Sequence, residues 1–199
     1  MNYPLRLRPS PIRNDLRIIF NHPKYPFMKK SILLFLGTAF IAGSVKAQSD
    51  TLTLERVCVI FPQKAQFEDK EPAKLYQLKL ADSSANFQLV QVDLSNMGLD
   101  ESTAVAMQAE PAFWEQSKEG LIAQMGADAK LIKEEFLDWN GTKILQLQVD
   151  RPSKEGNMNR LTLRMLIVGT YMIQYGHTDR NGKADAQVRD AFLASLKIK

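Results

Sequence analysis

LIKEEFLDWNGTKILQLQV, residues 131–149, reads as two strands closed by a tight turn. Asn140-Gly141 is the dipeptide that two-residue hairpins favour, because both central positions need a positive φ that Gly and Asn adopt readily. After the turn, Leu145, Leu147 and Val149 alternate with Gln146 and Gln148. That period of two makes one face apolar and the other polar. The pattern points to an antiparallel sheet with a core on one side.

The same alternation continues toward the C-terminus. After a polar loop at Arg151–Asn157, Asn159–Val168 sets Leu161, Leu163, Met165 and Ile167 against Arg160, Thr162 and Arg164. Gly169-Thr170 permits a reversal into a strand at Tyr171–Tyr175. His177 then falls at the strand end, where a solvated loop histidine is expected. Asn181-Gly182 marks a turn, followed by helix capping. Ala184–Leu196 spaces Val188, Ala191, Phe192 and Leu196 for a helix packed on the sheet.

Toward the N-terminus, Pro111 suits the first turn of a helix and Gly126 its end. Within it, Trp114, Leu121, Ile122 and Met125 fall on the core side. Asp100, Glu101 and Ser102 begin a shorter helix that stops before Pro111. Lys74–Leu80 and Phe87–Leu94 form a second hairpin about Asp82-Ser83-Ser84. Gln63–Pro72 is charged and reads as a loop. Thr51–Phe61 is apolar on both faces, which suits one strand covered on both sides and stopped by Pro62. Cys58, the only cysteine, reads as a small buried hydrophobe. The expected class is α+β, an antiparallel sheet of six to seven strands flanked by helices.

Residues 28–47 carry a different message. Lys29 and Lys30 precede an apolar run from Ile32 to Val45, and Val45-Lys46-Ala47 offers small or modest side chains for a signal peptidase. The run is shorter than the ~20 residues that span a bilayer. A cleavable signal at 28–47 is therefore expected, with cleavage between Ala47 and Gln48, no membrane span in the remainder, and a secreted or periplasmic product of residues 48–199. Residues 1–27, rich in Pro and Arg, read as an upstream extension ahead of a start at Met28, or as a basic arm.

Removing the first 47 residues reverses the charge. The whole chain has 26 basic and 22 acidic residues, net +4. Residues 1–47 hold eight of the basic ones and one acidic, leaving 18 and 21, net −3. No clustered Lys and Arg remain to neutralise phosphates, so nucleic acid is not expected as a partner.

The element order and several short strings resemble the PsbP-like superfamily. These are Val59-Ile60-Phe61-Pro62, the pair Leu75–Leu80 and Phe87–Leu94, Asn140-Gly141, Val168–Ile173 and the closing Phe192–Ile198. The resemblance implies an α/β/α sandwich. It also implies binding of other macromolecules, with no shared catalytic centre, so no functional residue is carried over from it.

No motif supplies chemistry or calls for a cofactor. After Ala47 there is one histidine, His177, and one thiol, which leaves a structural metal site short of ligands. Asp179–Asp185 has a Gly too early for a calcium loop and lacks its bidentate Glu. Glu134, Glu135 and Asp138 read as a solvated strand face. Trp139, beside the Asn140-Gly141 turn, and His177 are the candidates for a partner surface. The reading is an exported, non-catalytic binding or adaptor domain for a protein or envelope partner. The alternative is a small-ligand binder or hydrolase using a sheet–helix cleft near His177.

Overall fold

A computed structural model describes residues 49–153 and 155–199. Residues 1–27, the signal expected at Met28–Ala47 and the cleavage expected between Ala47 and Gln48 lie outside them. The described residues contain strands β1 (Asp50–Thr53), β2 (Val57–Phe61), β3 (Gln66–Lys70), β4 (Ala73–Lys79) and β5 (Ala85–Asp93). Helices α1 (Glu101–Ala109) and α2 (Pro111–Met125) follow. Then come β6 (Lys130–Trp139), β7 (Thr142–Pro152), β8 (Met158–Val168), β9 (Tyr171–Arg180), helix α3 (Ala186–Ala194) and β10 (Lys197–Ile198).

Seven strands form one antiparallel sheet in the order β3-β4-β5-β9-β8-β7-β6, and β1-β2-β10 form a small second sheet. The architecture is α+β, as the alternation requires. The Asn140-Gly141 turn has φ of 52° and 81°, and Asn181-Gly182 has 64° and 68°. Both are the positive values that select these residues.

The two faces of the large sheet are covered differently. One carries Leu145, Leu147, Val149, Leu163 and Met165, and α1 and α2 pack on β8 and β7 there. Pro111 opens α2 at its first turn, and Phe113, Trp114, Leu121 and Met125 are its buried residues. Trp114 Nε1 donates to Gln108 O at 2.9 Å, fixing the elbow between the two helices. Asp100 caps α1 by accepting from the Thr103 N–H at 2.8 Å. That bond, with one from the Ser102 hydroxyl, holds its carboxyl at about 2.

The opposite face is covered by β2 and α3. Phe192 of α3 stands 5.1 Å from the rings of both Phe61 and Phe87 and 6.1 Å from Tyr175. These offset and edge-on contacts are the geometry that aromatic quadrupoles favour. Ser195 Oγ accepts from Ile60 N at 2.9 Å and pins the end of α3 to β2.

Four expectations need correction. Thr51–Phe61 is two strands, because Leu54 N donates to Val57 O at 2.8 Å and closes a turn. Only one face of β2 is covered: Val57, Val59 and Phe61 are buried, Cys58 is half-buried and Ile60 is exposed. The charged segment Gln63–Pro72 contains β3, an edge strand paired with β4. The strand expected at Tyr171–Tyr175 runs on through His177 to Arg180, held on both sides by β5 and β8. Among the described residues no helix is long and apolar enough to cross a membrane.

Candidate functional site

The α3 side of the large sheet changes character from one edge to the other. Partnered residues of antiparallel strands share a face, so the register defines rows across it. One row reads Lys133, Gln148, Thr162, His177, Phe87. The next reads Glu135, Gln146, Arg164, Tyr175, Leu89. Each row begins polar at β6 and ends apolar at β5. The apolar end lies under β2 and α3, and the polar end, on β6, β7 and β8, forms a strip along the surface.

The strip is internally paired. Arg160 grips Asp150 with two parallel bonds, Nε to Oδ1 and Nη2 to Oδ2, each 2.8 Å. This bidentate fork is the geometrically specific form of an Arg–carboxylate pair. The Arg160 bonds lower the Asp150 carboxyl, and Asp150 raises the guanidinium in return. Lys133 Nζ stands 2.8 Å from Glu135 Oε2, and its hydrogen bond is the main cause of the lowered Glu135 carboxyl. Glu135 also accepts from Gln146 Nε2, and Gln146 Oε1 accepts from Arg164 Nε at 2.6 Å. Arg164 Nη1 continues to Tyr175 Oη at 3.1 Å and Leu193 O at 2.6 Å. A chain of hydrogen bonds therefore runs from the surface Lys133 to the C-terminal turn of α3.

Side chains of Lys133 and Arg160 remain 52% and 53% exposed. Pairs this open to water add little stability. Their consistent placement on one face makes them a surface that offers donors and acceptors of both charges at strand spacing. Glu134 and Glu135 point to opposite faces of β6: Glu134 is exposed and meets Lys118 at 2.8 Å on the α2 side, and Glu135 is half-buried.

The two residues singled out in the sequence lie elsewhere. Trp139 is half-buried and packs against the core cluster, as the size of a Trp side chain favours. His177 is not on a solvated loop; it is 1% exposed on β9, with its ring 5.1 Å from Phe87. Neither imidazole nitrogen has a hydrogen-bond partner among the described residues. Burial lowers its pKa to about 4, outweighing the carboxylates of Asp179 and Asp190, while Arg189 lowers it further. A neutral imidazole with neither a nucleophile nor an orienting carboxylate bonded to it lacks the geometry of a catalytic base. Among the described residues no three His, Cys, Asp or Glu side chains are grouped to hold a metal ion.

The strip residues were visible in the sequence as polar positions of β7 and β8. Their alignment into rows was not, because register across strands is set by turns and packing.

Fold and strip together define a three-layer α+β domain with a charged surface on one sheet face. No protein-family model and no curated protein sequence matches the chain. Among solved structures it is similar to cyanobacterial PsbP from Synechocystis sp. PCC 6803, at 12% identity over 82% of this chain and 99% of that one, TM-score 0.48. It is also similar to a protein from Bacteroides thetaiotaomicron VPI-5482, at 15% identity over 72% of this chain, TM-score 0.43. The match covers 45% of that protein's length. A Pseudomonas aeruginosa protein of unknown function shares 12% identity over 68% of this chain and 85% of its own, TM-score 0.41.

Proposed function

We propose that this chain is an exported, non-catalytic recognition domain that binds a protein or cell-envelope partner through the charged strip of β6, β7 and β8. The observation that carries the reading is the strip itself. Lys133, Glu135, Gln148, Asp150 and Arg160 share one sheet face, with Lys133 bonded to Glu135 and Arg160 to Asp150. Export rests on the signal pattern at Met28–Ala47, and a net charge of −3 for residues 48–199 accompanies it. Mixed charge of this kind steers and selects a partner more than it adds raw affinity.

The test is capture from envelope extract of the native host, with full-length wild-type protein and Arg160→Glu as parallel baits. The reversal sets two carboxylates together at the Asp150 fork. A partner retained by wild type and reduced about tenfold on the variant supports the reading. Identical captures, or none with either bait, contradict it. Matched thermal unfolding of the two baits separates lost binding from lost folding.

His177 favours a second reading, a small polar ligand meeting the unpaired imidazole beneath α3. Imidazole nitrogen shifts that stay fixed across a panel of polar envelope metabolites would remove it.

A further inference from the structure

The outer edge of β6 closes one side of the seven-stranded sheet, and among the described residues nothing pairs with it. It is ten residues long, and Ile132 and Phe136 are 50% and 45% exposed. Long edges with exposed apolar side chains are templates for another strand unless something blunts them. The register against β7 shifts between Leu131 and Lys133, a bulge that leaves Ile132 as the extra residue. Such a bulge ends regular pairing at that point. What remains in regular register begins with Lys-Glu-Glu-Phe, residues 133–136, with the bulged Ile132 at its margin.

We propose that this edge pairs antiparallel with the same edge of a second copy, about a two-fold axis through Glu134. In that register Lys133 lies opposite Glu135, a contact occurring twice, and each Phe136 reaches the margin where the other copy's Ile132 bulges. Apolar and opposite-charge cross-strand pairs are the contacts that stabilise a sheet. The alternatives are poorer. Sliding one residue sets Lys133 against Glu134, a carboxylate that Lys118 already holds at 2.8 Å, and Glu135 against the bulged Ile132; sliding the other way sets Glu134 against Glu135. The one like-charge contact of the favoured register, Glu134 with its own copy, is offset by Lys118, whose ammonium lies 2.8 Å from that carboxylate. Because Lys133 and Glu135 share the α3 side, the two charged strips join into one continuous surface.

Sedimentation velocity over a concentration series of the full chain tests this, using wild type, Lys133→Glu, Glu135→Lys and the double exchange. Lys133→Glu sets a carboxylate opposite the second copy's Glu135, and Glu135→Lys sets two ammonium groups together. Each single reversal weakens dimerisation at least about tenfold, and the double exchange restores it to within about threefold of wild type. A wild-type chain that stays monomeric to about 100 μM overturns the proposal. So does a dimer indifferent to the single reversals, or a double exchange as weak as either single. Matched urea unfolding of the four proteins distinguishes lost pairing between copies from loss of the Lys133–Glu135 pair within each chain.

Discussion

His177 is predicted to be a position where an apolar replacement stabilises the protein. Its ring is 1% exposed and neither nitrogen is hydrogen-bonded within the protein. Leaving buried polar groups unsatisfied costs about 1–3 kcal/mol, a penalty that an apolar residue of similar size avoids. His177→Leu keeps the volume close and is expected to raise stability at pH 7 by about 1–3 kcal/mol. The pH dependence is the sharper signature. Burial holds the folded pKa at about 4, below the ordinary 6.5. The unfolded chain therefore binds more protons between those values, and stability falls as pH falls. The contribution is fully present above pH 6.5 and fully lost below about 4. The whole loss comes to about 3 kcal/mol, of which about 2.5 kcal/mol has gone by pH 4.5. Carboxylates with lowered pKa, such as Asp150 and Glu135, add their own losses mainly below that point. Urea unfolding at steps between pH 7 and 4.5 isolates the histidine. Wild type is expected to lose stability across the window, and His177→Leu to stay nearly flat. Parallel slopes, or a variant less stable than wild type by more than about 1 kcal/mol at pH 7, would refute the reasoning.

Two further perturbations probe the frame around the strip. A Cβ at Gly176 would lie 2.5 Å from Thr162 O and 3.0 Å from Leu163 Cα, backbone atoms that cannot move aside. Gly176→Ala is expected to lower stability by about 3 kcal/mol, read as a shift in the urea midpoint, and an unchanged midpoint would mean that β8 and β9 are not so close. Asp185 caps α3 by accepting from the Gln187 and Val188 N–H groups at 2.8 and 3.4 Å. Asp185→Ala is expected to lose about 1 kcal/mol in the same assay, while Asp185→Asn loses less.

The parts of the fold legible in the sequence are those set by local chemistry. Asn140-Gly141 demands a positive φ, Pro111 marks a helix start, and the leucines of β7 and β8 declare a buried face. What escaped was set by neighbours far along the chain. β3 is an edge strand with mostly exposed residues, so Gln66–Lys70 shows no apolar alternation. The turn at Leu54-Glu55-Arg56 has no Gly or Pro to announce it. Gly176-His177-Thr178 looks like a loop in isolation; strands on both sides make it part of β9. The site shows the same division. Trp139 and His177 stood out by residue type, yet packing draws both toward the core. Arg160, Arg164, Gln146 and Gln148 stood out only as a polar alternation, and register set them side by side on one sheet face.

The most direct measurement of the central claim is site-specific photocrosslinking in the native host. A crosslinking residue replaces Gln148, on the strip, or Glu119, exposed on α2 at the opposite side of the sheet. A discrete crosslinked product from position 148, absent from position 119, is the predicted result. Equal products from both positions, or none from 148, would contradict the assignment of the strip as the binding surface.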